Sequence, residues 1–152
     1  MSDANELLDQ YTITPEWVTE SNKEEQESRL IPKGTFDGQI TGYTTKVNDK
    51  VGSPFYGHPV ARITAELFSV EGSQRLYFFS ASPHRAQMSD GRDYEESRNF
   101  RKLAEASETV GEKASIVLQT AQKMRLSFKI TLSPAKGDYP ARNWTDNIKA
   151  AV

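Results

Sequence analysis

A chain of 152 residues, 36% apolar and 26% charged, has room for one packed core and not for two comfortable ones. It has no cysteine, which excludes disulfides and thiolate metal sites, and no apolar run near the roughly 20 residues that cross a bilayer. The net charge of −2 hides a split: residues 1–30 hold eight acids against Lys23 and Arg29, a net of −6, while residues 31–152 hold 17 cations against 13 acids, a net of +4.

Residues 1–30 therefore read as an acidic N-terminal arm and residues 31–152 as the folded domain. Thr19–Ser28 has almost no apolar residue to offset its ordering entropy, so the arm is expected to be partly disordered. Tyr11, Ile13, Trp17 and Val18 are the exception, and as a short extended segment they are expected to dock on the body or on a neighbouring subunit. The N-terminus lacks the basic-then-apolar pattern of a signal peptide, which predicts a cytoplasmic protein.

Pro32-Lys33-Gly34 opens the domain. Thr35–Val47 then sets Phe36, Gly38, Ile40 and Gly42 on one face, and two glycines on one face predict a coiled or bulged strand that another backbone approaches closely. Residues 48–59 are a long turn-rich loop. Val60–Val70 alternates Ile63, Ala65 and Leu67 against Arg62, Thr64, Glu66 and Phe68, and a tight turn at Glu71-Gly72-Ser73 leads to a third strand over Gln74–Ser80. After a loop at 81–93, Asp93 and Glu96 have capping-box spacing, opening a helix with Phe100, Leu103, Ala104 and Ser107 on one face and Gly111 at its end. Lys113–Ala121 and Lys123–Leu132 read as strands four and five. The latter carries the cleanest pattern in the chain: Met124, Leu126, Phe128, Ile130 and Leu132 alternate with Arg125, Ser127, Lys129 and Thr131, a half-buried strand with a wet, basic face. A loop through Pro134, Gly137 and Pro140 precedes a closing segment, Asn143–Val152.

Three strands, a helix and two strands, with a glycine-bearing first strand, predict an all-β domain with one inserted helix: a five-stranded OB-fold β-barrel, β-β-β-α-β-β. Other small barrels with an inserted helix and an α+β sandwich satisfy the same order less fully.

"IPKGTFDGQITGY" at Ile31–Tyr43 resembles the opening strand of single-stranded DNA-binding proteins of tailed bacteriophages. "VGEKASIVL" at Val110–Leu118 is similar to the start of that family's fourth strand, and "NWTDNI" at Asn143–Ile148 to its closing segment. The resemblance spans about residues 31–148. It implies an OB-fold, a non-enzymatic role coating single-stranded DNA in phage replication or recombination, location in the host cytoplasm, phage or host replication proteins as partners, and self-association. Many members end in an acidic tail; this chain ends in "NIKAAV" and carries its excess acid at the other end, where the arm is expected to compete with DNA for a basic groove.

Non-specific binding of a single strand needs cations spaced along the phosphates and exposed rings for the bases. The outward faces of the expected strands offer Tyr43 and Lys46, Arg62 and Phe68, Arg75 with Tyr77 and Phe79, then Arg125 and Lys129. Phe55 and Tyr56, flanked by Lys50 and His58, form a loop clamp. Against this, a bulge would turn Phe68 or Phe79 into the core, and Arg125 and Lys129 would serve equally as a solvated face. Arg98, Arg101 and Lys102 sit at helical spacings from Glu95, Glu96, Glu105 and Glu108 and read as a salt-laced exposed surface. Trp144 reads as a closing anchor.

Two rivals differ in class. One is a small β-barrel protein-interaction module, as in a phage accessory or virion component. The other is a metal-dependent nuclease built on Asp90, Asp93, Glu95 and Glu96, although acids at a helix start are favoured by the helix dipole alone. His58 and His84 lie far apart beside prolines, and no phosphate-binding glycine loop, nucleophile set or histidine pair is present. No catalysis, cofactor or metal is expected.

Overall fold

The structure, a computed structural model, describes residues 4–28, 30–70 and 73–151. The chain divides into two units, Met1–Leu30 and Ile31–Val152. The first holds helices α1 (Ala4–Leu8) and α2 (Pro15–Ser28). Pro15 occupies the first turn, and the Thr14 hydroxyl accepts the Trp17 N–H at 3.1 Å, so a capped start seeds α2. Trp17 and Val18 thus lie on a helix, which corrects the extended segment expected there. Residues 19–28, expected to lack order, are helical: Glu, Gln and Lys favour helix without needing burial.

The second unit is mainly β. Strands β1 (Gly34–Val47), β2 (Pro59–Val70), β3 (Ser73–Ala81), β4 (Arg125–Ser133) and β5 (Arg142–Ala150) form one antiparallel sheet in the order β3-β2-β1-β4-β5, with α3 (Glu95–Ala106) and α4 (Ala114–Gln122) between β3 and β4. Among the described residues no ladder joins β3 to β5, so the sheet is not closed by backbone pairing. The turn expected at Glu71-Gly72-Ser73 falls on Glu71 and Gly72, outside the described residues.

One expected strand is a helix. In place of a fourth strand over Lys113–Ala121, α4 occupies Ala114–Gln122, because Val117, Leu118 and Ala121 recur at helical spacing and are the positions buried. The family likeness at Val110–Leu118, which implies the start of a strand, falls on this helix. The place of the missing strand is taken by β5, which the sequence presents only as a closing segment. The capping box is also absent: Tyr94 precedes α3 with no side-chain cap, and the Asp93 carboxylate instead meets Arg85 and Arg101.

Leu126, Phe128 and Ile130 of β4 are fully buried, and Phe128 packs edge-on to Phe79 at 5.9 Å between ring centres. Burying each such side chain contributes about 1.5–3 kcal/mol, which makes β4 the spine of the core. Gly38 on β1 has the close approach that its position predicts: a Cβ there would stand 2.6 Å from the Glu66 carbonyl oxygen and 3.1 Å from the Phe128 ring. The pairing of β1 with β2 shifts between Ile40 and Gly42, a bulge that reverses the facing of the later residues of β1, and at Gly42 a Cβ would meet nothing within 4 Å. Gly38→Ala is therefore expected to lower stability by about 2–3 kcal/mol and Gly42→Ala to leave it unchanged, read as urea unfolding midpoints.

The open seam is bridged by side chains. The hydroxyls of Tyr77 on β3 and Thr145 on β5 share a buried hydrogen bond of 2.6 Å. Helix α3 serves both edges: Asn99 Nδ2 donates to the Ser80 carbonyl at 2.9 Å, and Arg98 Nη2 donates to the Thr145 carbonyl at 2.9 Å. Backbone groups that a ladder would have satisfied thus find side-chain partners.

Candidate nucleic-acid interface

The outer face of the sheet is set by register. Across β2 and β3, Arg62 lies opposite Ser80, Thr64 opposite Phe78 and Glu66 opposite Leu76; across β1 and β2, Thr44 lies opposite Arg62 and Lys46 opposite Val60. Phe78 and Leu76 are 62% and 56% exposed, large apolar groups held in solvent. Phe68 is half-buried beneath the Arg125 guanidinium, 4.8 Å from its ring centre, and Arg125 stands 3.9 Å from Asp37.

This face differs from the expected one at its rings. Tyr77 and Phe79 are only 5% and 6% exposed, stacked on each other at 5.6 Å within the core. They cannot hold bases, and the expectation that they would is corrected. The stretch QRLYFFS is apolar at both parities, and what selects Tyr77 for the interior is Thr145, a partner for its hydroxyl 68 residues away. Tyr43 also turns inward, half-buried against the core, because the bulge before Gly42 reverses parity. Sequence reasoning missed Phe78 and Leu76 because that apolar stretch gives no sign of which parity faces out.

Phe55 is corrected as well. Its ring is buried, edge-on to His84 at 6.2 Å and to Tyr94 at 6.1 Å, while His58 stacks flat on His84 at 3.5 Å. The loop 48–58 is thereby pinned to the segment before α3, and Asn48 closes its base by donating its N–H to the His58 carbonyl at 2.9 Å and accepting the Gly57 N–H at 2.8 Å. Tyr56 stays exposed on this loop, and Tyr139 is 80% exposed on the loop between β4 and β5.

Between the loop 48–58, the ends of β1 and β2, and Tyr94–Glu96 lies a cleft of ≈ 480 Å³. Lys46, Lys50 and Arg62 line it, with Asp49 and Glu96 as its acids. Among the described residues none of these three cations has an ion pair, whereas Arg125, Lys129 and Arg142 are held by Asp37, Asp146 and Glu95. Arg125 and Lys129 are exposed as expected, and such surface pairs, at about 0–1 kcal/mol, do not bar a competing phosphate. Arg75, expected on the outward face, shares the parity of Tyr77 and Phe79 and is half-buried on β3, so that expectation is corrected with theirs. The structure thus gathers Lys46, Lys50 and Arg62 in one place, keeps Tyr56 exposed nearby on the same loop, and leaves Arg125 and Lys129 across the sheet.

No protein-family model, curated protein or solved structure matches this chain.

Among the described residues no three acids or histidines are grouped as a metal ion would need, and of the acids named for a nuclease Asp90, Asp93 and Glu95 are each drawn to an arginine. Asp90 is drawn to Arg92 at 2.7 Å, and hydrogen bonds from the Arg92 backbone and side chain hold its carboxyl below the usual range. Asp93 pairs with Arg85 and Arg101, and Glu95 with Arg142 at 3.4 Å. Burial pushes the Glu95 carboxyl up, against the opposing pull of the Thr145 N–H and Arg142. Among the described residues no helix is long and apolar enough to cross a membrane.

Burial also pushes the Tyr77 phenol up to about 12 from 10.0. A raised folded-state pKa favours the neutral phenol, so its stabilising contribution is intact below pH 10 and is lost as pH rises from 10 through about 12. Alkaline unfolding in that window is expected to be blunted in Tyr77→Phe relative to the wild type, measured as denaturant midpoints against pH.

Proposed function

We propose that the domain 31–152 is a non-enzymatic OB-fold that binds single-stranded DNA with little sequence preference. A sheet with β1 at its centre, flanked by β2 and β4, a helix after β3, and β3 and β5 bridged by Tyr77 and Thr145, fits a partly open Greek-key barrel. In such barrels oligonucleotides bind on the face of strands two and three and on the loops after strands one and four. Those are the places where this chain exposes Phe78, Tyr56 and Tyr139. The observation that carries the reading is the convergence of Lys46, Lys50 and Arg62, with no ion pair among the described residues, on the cleft at the end of that face. Phosphates would lie on these cations and bases on Phe78 and Tyr56, stacking being worth about 1–3 kcal/mol per base. The likeness of Ile31–Tyr43 to phage single-stranded DNA-binding proteins supports a role in phage replication or recombination, inside the host cell.

One observation favours a second reading, a protein-interaction module: Leu76, which no base stacks upon, is exposed two residues from Phe78 on the same face. Fluorescence anisotropy of labelled oligo-dT separates the two. The DNA reading predicts saturable binding at low salt that weakens steeply as salt rises, with duplex DNA bound less well. No binding at low salt overturns it and leaves the Leu76–Phe78 face as a protein contact.

A further inference from the structure

A second basic site lies on the other side of the segment 92–98. Four arginines line a cleft of ≈ 310 Å³: Arg85 and Arg92 from the loop before α3, and Arg98 and Arg101 from α3, with Asp93 as the acid among them. Read from sequence, Arg98 and Arg101 belong to an exposed helix surface balanced by glutamates. The fold brings Arg85 and Arg92 to the same place, together with Asp93 and Asp90 that pair with them.

The internal pairing holds the arginines in place and leaves part of each guanidinium unused. Asp93, itself largely buried, accepts Arg85 Nε at 3.1 Å on one oxygen and Arg101 Nη1 at 3.2 Å on the other, which fixes two guanidinium planes around one carboxylate. Arg92 is steadied by Asp90 through Nε at 2.7 Å. Arg101 also stands 3.8 Å from Glu105. Arg98 is tied to the Thr145 carbonyl through Nη2, and its buried Nε has no hydrogen-bond partner among the described residues. A guanidinium carries five donors, so each of these pairings leaves others to offer. Planar forks held in place by a carboxylate suit oxyanions of phosphate, which arginine binds bidentately.

We propose that this arginine cleft is a second phosphate-binding site, and that its occupant is the sugar-phosphate backbone of the single strand leaving the first cleft. The proposal rests on the DNA-binding reading. Its ground is placement: Tyr94 and Glu96 wall the first cleft while Arg92, Asp93 and Arg98 wall the second, so one short segment separates them. The cleft between the arginines has no exposed ring among its lining residues, which suits it to backbone and not to bases. The strand would then bend round the start of α3, and the number of nucleotides covered would exceed what the sheet face alone holds. A free polyphosphate offers the same oxyanions and is the other source to be tested.

The experiment compares the wild type with R92A/R101A, both residues being exposed and outside the β3–β5 bridge that Arg98 serves. Each is titrated with oligo-dT of about 8 nucleotides, within one OB site, and of about 30, roughly twice the largest such site. Matching thermal melts establish that the variant is folded. The proposal predicts about tenfold weaker binding of the long oligomer, a salt slope smaller by about 1.4 for two lost phosphate contacts, and unchanged binding of the short one. Equal loss on both lengths, or no loss on either, overturns it. If the wild type binds neither oligomer, the DNA reading itself fails and the backbone occupant with it. Inorganic pyrophosphate then tests the cleft directly: a thermal shift that R92A/R101A abolishes supports a phosphate site filled from solution, and no shift overturns the site altogether.

Discussion

Replacing Lys46, Lys50 and Arg62 together by alanine is expected to weaken single-stranded DNA binding on the order of a hundredfold at low salt. The three cations have no ion pair among the described residues, so a phosphate arriving there displaces water and counterions and breaks no existing pair. Two lost charge-assisted hydrogen bonds at about 1.5 kcal/mol each already amount to that factor. The loss should shrink as salt rises, since counterion release drives these contacts, and the salt slope should fall by about 2 for three phosphates. Arg125→Ala, which removes a cation already shared with Asp37 and the Phe68 ring, should cost far less. Anisotropy titrations at two salt concentrations check both. Equal losses from the two variants would mean that diffuse charge, and not the cleft, holds the strand.

Phe128→Ala is expected to destabilise the domain by about 3–5 kcal/mol, a large share of the roughly 5–15 kcal/mol that holds a typical domain folded. The ring is fully buried on the central pair β1–β4, lies opposite Phe36, and contacts Phe79. The sheet around it is tied at Gly38 and Tyr77, which limits how far the space can collapse. Leu132→Ala, near the end of the same strand and well exposed, should cost under about 1 kcal/mol. Urea unfolding of the two variants measures the contrast.

Where burial and pattern had one solution, the fold was legible. Leu126, Phe128 and Ile130 could point only one way, and Gly38 marked a backbone contact that the sheet contains. Where two solutions scored alike, tertiary partners decided. The stretch 113–121 is apolar enough for a strand, and its helical spacing of Val117, Leu118 and Ala121 became decisive only against the core that those residues cover. QRLYFFS is apolar on both faces, and the choice between Tyr77 and Phe78 lay with Thr145 at the far end of the chain. The cations were easier to place: Arg62 faces outward as its position predicts, Lys46 comes to the same face through the bulge that turns Tyr43 inward, and Lys50 joins them in the cleft. Their convergence with each other, and that of Arg85 and Arg92 with Arg98 and Arg101, depends on how loops fold back beside α3, which no spacing along the chain encodes.

The central claim is that an unpaired strand lies on the outer face of β2 and β3 and runs into the cleft of Lys46, Lys50 and Arg62. Mapping backbone amide shifts during titration with oligo-dT at low salt tests binding and location together. The account predicts shifts concentrated at 46–50, 56–64, 76–80 and 92–96, with the amides of α4 and β5 unmoved. Shifts confined to α4 and β5, or none at all, would contradict it.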